Sequence, residues 1–152
     1  MNEKRTILFV DDEVRLLRSL EQAMLDEPYD TLYAESGAEA LKLLEENEVH
    51  VIVTDMRMPE MSGLALLKIV KEKYPHIVRL VLSGYTQVTT LLTAINQGEI
   101  FRFITKPWKM EKEFKTVLAQ AVEYYNLQAD RDRLVVESAA LKERLVEAGI
   151  TE

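Results

Sequence analysis

Five short apolar segments punctuate the chain, at 6–10 (TILFV), 30–34 (DTLYA), 49–54 (VHVIVT), 78–82 (VRLVL) and 100–105 (IFRFIT). Most are rich in β-branched or aromatic residues, and three are apolar nearly throughout. A strand with one wet face alternates polar and apolar residues. A strand that stays apolar on consecutive residues has both faces covered, as in a parallel sheet between two layers of helices. Helix-period stretches lie between the segments, as that architecture requires. Residues 14–26 set Val14, Leu17, Leu20 and Met24 on one side. Ser36 with Glu39 forms a capping box that opens a helix over 36–47. Ser62 opens a third helix, which Pro75 closes. Residues 86–97 predict a fourth, with Gly98 as its C-terminal stop. Strands alternating with helices imply right-handed crossovers and a doubly wound α/β sheet.

The end of the chain differs. From Glu111 to Ala148 there is neither proline nor glycine, so one helix of about 38 residues could run roughly 57 Å. Its first part carries Phe114, Val117, Leu118 and Ala121, a face suited to covering the sheet. Beyond Tyr125 the composition turns charged. Leu127, Leu134, Leu141 and Ala148 recur every seven residues, beside a companion seam of Tyr124, Arg131, Ser138 and Leu145. That pattern suggests a coiled coil and a homodimer through this helix, with a solvated lone helix as the alternative. The expected division is a first domain over 1–122 and a helical extension over 123–152.

Composition narrows the partners. With 26 acidic against 19 basic residues and a net charge of −7, the chain lacks the basic stripe of a nucleic-acid surface. In the tail, too, acids outnumber bases, so no nucleic-acid partner is expected. An acidic chain can still hold a cation. There is no cysteine, which excludes disulfides, thiolate zinc sites and thiol catalysis. The N-terminus has too short an apolar run for a signal peptide, and no stretch is long enough to span a membrane. A cytoplasmic protein without a membrane partner is expected.

In an open parallel sheet, ligands bind beyond the carboxyl ends of the strands. Those ends carry Asp11 and Asp12 after the first strand, Asp55 after the third, Ser83 after the fourth and Lys106 after the fifth. If the first and third strands are neighbours, three carboxylates crowd one rim, and their repulsion calls for a cation. A hard divalent ion with oxygen ligands fits, and magnesium suits a few carboxylates plus phosphate oxygens. Lys106 adds a point charge able to hold an anion, and Ser83 adds a hydroxyl donor. The set suits a carboxylate that becomes phosphorylated, with Asp55 attacking phosphorus. Glu13 reads as a helix-start charge. His50 and His76 fall at the opposite rim and receive neither a metal nor a phosphate role.

Taken together, "ILFVDDE", "VIVTDMRMPEMSG", "VLSGY" and "FITKPW" closely resemble the receiver domain of two-component response regulators, over about residues 5–122. The resemblance implies a flavodoxin-like, five-stranded parallel sheet in the order 2-1-3-4-5 with an extended C-terminal helix. It implies that Asp55 takes a phosphoryl group from a sensor histidine kinase or phosphotransfer protein. Asp12 would bind Mg2+ directly, Asp11 directly or through water, and the carbonyl of Arg57 would complete the protein ligands. Ser83 would hydrogen-bond the phosphoryl group and Lys106 would pair with it. Phe103 matches the switch aromatic and Pro107 the proline after the lysine. Arg57 and Tyr85 match the two positions that tune hydrolysis. Tyr85, through its bulk, is expected to limit water access and lengthen the phosphorylated lifetime. The surface of helix 4, strand 5 and helix 5 would change shape on phosphorylation, with no enzyme activity beyond self-phosphorylation and slow self-dephosphorylation. "GEIFRFITKPW" is also similar to receivers that precede HD-GYP phosphodiesterase domains, and the output is left open. Two other readings compete. One is a magnesium-dependent aspartyl-nucleophile phosphatase or phosphotransferase, but such enzymes normally carry Asp-x-Asp after the first strand, where this chain has Asp11-Asp12-Glu13. The other is a docking module that is never phosphorylated.

Overall fold

The computed structural model describes residues 4–83, 88–98, 100–105 and 111–149. Five strands and five helices alternate: β1 (Arg5–Val10), α1 (Val14–Ala23), β2 (Tyr29–Ala34), α2 (Gly37–Glu46), β3 (Val51–Asp55), α3 (Gly63–Lys73), β4 (Val78–Ser83), α4 (Val88–Asn96), β5 (Arg102–Thr105) and α5 (Glu111–Glu147). The strands form one parallel sheet in the order β2-β1-β3-β4-β5. This is the flavodoxin-like order expected above.

Burial on both faces explains the unbroken apolar strands. Ile7 and Phe9 of β1 point into one core with Leu17 and Leu20 of α1 and Phe114, Leu118 and Ala121 of α5. Leu8 and Val10, one residue out of step, enter a second core with Ala40 and Leu44 of α2, Leu66 and Val70 of α3, and Leu91 and Ala94 of α4. Successive side chains of a strand point to opposite faces, so neither face of β1 can be polar. The chain thus leaves β1 on one face and returns to β3 from the other, which makes the β1/β3 boundary the switch point of the sheet.

Local chemistry sets the helix starts. Ser36 Oγ accepts the Glu39 N–H and Ser62 Oγ accepts the Ala65 N–H, each at 3.1 Å, so both predicted caps are present. Gly98 takes a positive φ of 73° just past α4, the conformation that a C-terminal glycine stop requires.

Some limits shift inward from the sequence pattern. The first helix ends at Ala23, and Met24 to Glu27 continue as turns closed by Leu25 N–H to Gln22 O and Glu27 N–H to Met24 O. β3 starts at Val51, and His50 just before it is held at the sheet's lower edge: its N–H donates to Thr6 O at 3.0 Å, its Nδ1 accepts the Thr6 N–H at 2.9 Å and its Nε2 meets Glu48 Oε1 at 2.8 Å. His50 lies edge-on to Tyr125 of α5, with ring centroids 4.8 Å apart. Arg5 sits over the same ring and donates from Nε to Asn126 Oδ1 at 2.7 Å. So His50 helps fasten α5 to the N-terminal edge of β1 and β3, a structural task at the rim opposite the acids.

Tyr33 of β2 stacks on Phe9 with centroids 5.6 Å apart. Among the described residues its buried hydroxyl has no hydrogen-bond partner. Burial pushes its pKa above the ordinary 10.0, and the Thr31 side chain, near the hydroxyl but outside hydrogen-bond geometry, opposes that only in part. Tyr29 is shifted the same way, by burial and then by Glu27. A phenol that holds its proton more tightly when folded contributes stability below pH 10, and that contribution is lost as pH climbs through the raised value. Tyr33→Phe should therefore be neutral or stabilising by up to about 1 kcal/mol at pH 7, and should flatten the alkaline fall in stability. Denaturant melts at pH 7 and across the range above pH 10 read both; an unchanged alkaline slope would discard this account.

Candidate functional site

The adjacent strands β1 and β3 run parallel with Val10 opposite Thr54. The next residues of both strands, Asp11 and Asp55, therefore emerge at one level of the C-terminal rim. Asp12 follows directly. One carboxylate oxygen from each of Asp11, Asp12 and Asp55 lies within 4.8 Å of the other two. The three differ in setting: Asp11 is fully buried, Asp55 is half-buried and Asp12 is exposed.

Backbone groups orient two of them. Asp11 Oδ1 accepts the Glu13 N–H at 2.9 Å, while its own N–H donates to Ala34 O at 3.0 Å. The acid thus forms the turn that leads into α1. Glu13 occupies the N-cap of α1 with no side-chain capping bond. Asp55 Oδ1 accepts the Met56 N–H at 2.9 Å, which fixes one of its oxygens. Behind it, buried Thr54 donates from Oγ1 to Asp55 O at 3.0 Å.

The loop from Asp55 to α3 is anchored at both ends. Met56 is buried, and Met58 and Met61 pack on the same core. Glu60 takes a left-handed φ of 67° where the chain turns, beside the 2.7 Å bond from Met61 N–H to Pro59 O. Gly63 then donates to Met56 O at 2.8 Å. A Cβ on Gly63 would lie 1.9 Å from Asp55 O. Only a residue without a side chain lets α3 begin so close to the acid's own backbone. Gly63 therefore positions Asp55, a task that spacing did not reveal. The nearest sequence signal was the glycine after the Ser62 cap.

Of the other expected site residues, Arg57 is exposed two positions past Asp55. Ser83 is the last residue of β4, paired with Thr105, and β4 lies beside β3 with Asp55 opposite Leu82. Phe103 of β5 pairs with Val81 and packs, half-buried, against the core that includes Leu91 and Ala94 of α4. Tyr85, Lys106 and Pro107 lie outside the described residues.

Three hard oxygen donors, one fully buried, at a switch point suit a divalent cation. The donor set therefore fits magnesium, through Asp11, Asp12 and Asp55. No helix among the described residues is long and apolar enough to cross a membrane.

The family model of the response regulator receiver domain matches residues 7–118. The hydrogenase transcriptional regulatory protein HoxA of Bradyrhizobium diazoefficiens is 39% identical over 140 residues, which are 92% of this chain and 28% of that protein. HoxA of Cupriavidus necator is 42% identical over 138 residues, 90% of this chain and 28% of that protein. The chain thus spans about a quarter of the length of these curated relatives. Among solved structures, the signal receiver domain of an HD domain-containing protein from Pseudomonas fluorescens superposes with a TM-score of 0.76 at 33% identity, covering 82% of this chain and 98% of that one.

Proposed function

Because this chain belongs to the response regulator receiver domain family of two-component signalling, we propose that it is a phosphoacceptor switch in which Asp55 carries the phosphoryl group. The observation that supports this most is the half-exposed Asp55 carboxylate gathered with Asp11 and Asp12 within 4.8 Å at the sheet's switch point. Magnesium, held by Asp11, Asp12, Asp55 and the Arg57 carbonyl, would neutralise charge on the transferred group. An oxygen of Asp55 attacks the phosphorus of a phosphohistidine on the kinase or phosphotransfer protein. The P–N bond breaks, an acyl phosphate forms, and the departing imidazole takes up a proton. Asp11 and Asp12 hold the acidic side of the pocket, while Ser83 and Lys106 receive the phosphoryl oxygens.

The added charge of about −1.5 to −2 then draws Ser83 toward it, and Phe103 turns into the space that opens. The surface of α4, β5 and α5 changes with it, since a ligand shifts two states only by its differential interaction with them. The change passes to α5, where we place self-association with a second copy. The receiver occupies 1–122 and the extension 123–152. Arg57 and Tyr85 set the rate of self-hydrolysis, the only turnover expected; the chain hydrolyses no phosphomonoester. We carry the expectations of a cytoplasmic setting and no nucleic-acid contact for this receiver and its helix alone, as both HoxA relatives are named transcriptional regulators.

Acetyl phosphate with Mg2+ tests the assignment. The native chain should gain one base-labile phosphoryl group, and folded Asp55→Asn should gain none. Equal uptake of the same acyl-type phosphate by Asp55→Asn refutes it.

A further inference from the structure

Thr54 carries a buried hydroxyl where its surroundings suit an apolar side chain. The register of the sheet sets Ala34, Val10, Thr54, Val81 and Phe103 side by side in one cross-strand row. Ala34, Val10 and Val81 are buried in the core shared with α2, α3 and α4, and Phe103 packs against it. Thr54 is fully buried among them, and valine would fill the same space without an oxygen. A buried hydroxyl destabilises the fold unless it is hydrogen-bonded. Among the described residues only Asp11, His50 and Thr54 are polar and buried. The first two have the tasks given above.

We propose that Thr54 is a positioning residue for phosphoryl transfer: its hydroxyl fixes the peptide plane that aims the Asp55 carboxylate. The inference rests on the reading of Asp55 as the phosphoacceptor. Thr54 Oγ1 donates to Asp55 O at 3.0 Å and lies 4.0 Å from Met58 Sδ. A hydroxyl has one proton, and the carbonyl at the shorter distance is a far better acceptor than a thioether. The Asp55 carbonyl and the Met56 N–H belong to one planar peptide, so holding the oxygen also sets where the N–H points. That N–H donates to Asp55 Oδ1 at 2.9 Å. Control thus runs from a core hydroxyl, through a rigid amide, to an oxygen of the reacting acid.

Gly63 meets the same peptide. Its N–H donates to Met56 O at 2.8 Å, and the Asp55 carbonyl leaves no room for a Cβ on it. Close contact of that kind keeps the plane from shifting toward α3, while the directional bond from Thr54 sets its rotation. The two restraints are complementary. Misplacing a reacting group by about 1 Å can slow a reaction by about a hundredfold. A plane that keeps its glycine contact and loses only the hydroxyl bond should lose less, about tenfold.

Two substitutions separate the hydroxyl from the methyl. Thr54→Val keeps the packing and removes the oxygen; Thr54→Ser keeps the oxygen and removes a buried methyl. Phosphoryl uptake from acetyl phosphate at saturating Mg2+ should be about tenfold slower in Thr54→Val than in the native chain. Thr54→Ser should recover to within about threefold of the native rate, although the lost methyl lowers its melting temperature by about 4 °C. A residue that only packed the core would give the opposite order, with rate following stability. Native-rate uptake by Thr54→Val, or equal slowing of both variants, overturns the positioning role and leaves Asp55 as the acceptor. A native chain that takes up no phosphoryl group overturns the reading of Asp55 and this inference with it.

Discussion

Replacing Gly63 by alanine should cost about 3 kcal/mol of stability and lower the melting temperature by about 10 °C. The new Cβ would lie 1.9 Å from Asp55 O, 2.9 Å from Asp55 C and 3.0 Å from Met56 Cα. All three are backbone atoms, so no side-chain rotation relieves the clash. Either α3 shifts away from β3 or the end of β3 moves. The first option breaks the 2.8 Å bond from Gly63 N–H to Met56 O; the second displaces the acid itself. Gly37→Ala is the control. Gly37 also follows a serine cap and opens a helix, so helix propensity changes equally in the two variants. Its Cβ would meet Met61 Sδ at 2.6 Å and Met61 Cβ and Cγ at 3.2 Å, all atoms of one flexible side chain, of which the closest can swing aside while the other two need give only slightly. Gly37→Ala should cost about 1 kcal/mol or less. Equal thermal shifts in the two variants would mean that the backbone approach at Asp55 carries no special strain.

That contrast marks where sequence reasoning stops. Consecutive apolar residues revealed β1 and β3, because burial on both faces leaves no polar position. The rim of acids was legible too, since residues after parallel strands emerge on one side and Asp11 follows Val10 as Asp55 follows Thr54. The site's supporting contacts are another matter. Gly63 lies eight residues from Asp55 in sequence, and only the fold brings its backbone against that acid. The bond from Thr6 N–H to His50 spans the gap between two strands, and the Arg5 to Asn126 bond ties the start of β1 to α5. None of these leaves a periodic trace. Element limits suffer for the same reason. Leu25 fits an apolar helix pattern, yet it is 77% exposed in the turn after α1. The length of α5 was legible because a missing proline or glycine is itself the signal.

Asp11→Asn should separate what the acid cluster costs the fold from what it does. Asp11 is fully buried, with oxygens of two other carboxylates within 4.8 Å. Asparagine has nearly the same shape, and its Oδ1 can keep accepting the Glu13 N–H. What changes is the charge. Without magnesium the variant should therefore be more stable than the native chain by about 1–2 kcal/mol, the scale of such repulsion after solvent screening. With magnesium the order should reverse. A cation that binds only the folded state adds about 2.7 kcal/mol at a hundred times its dissociation constant, and removing one carboxylate ligand should weaken it about a hundredfold, which leaves the variant a gain of only about 0.4 kcal/mol. Urea melts of both proteins, with and without millimolar Mg2+, give the four stabilities directly. A crossing of the two proteins' stabilities on adding metal means that the cluster is held against its own repulsion for the sake of a cation. A metal-free variant weaker than the native chain would instead make Asp11 a turn former whose charge the fold itself requires.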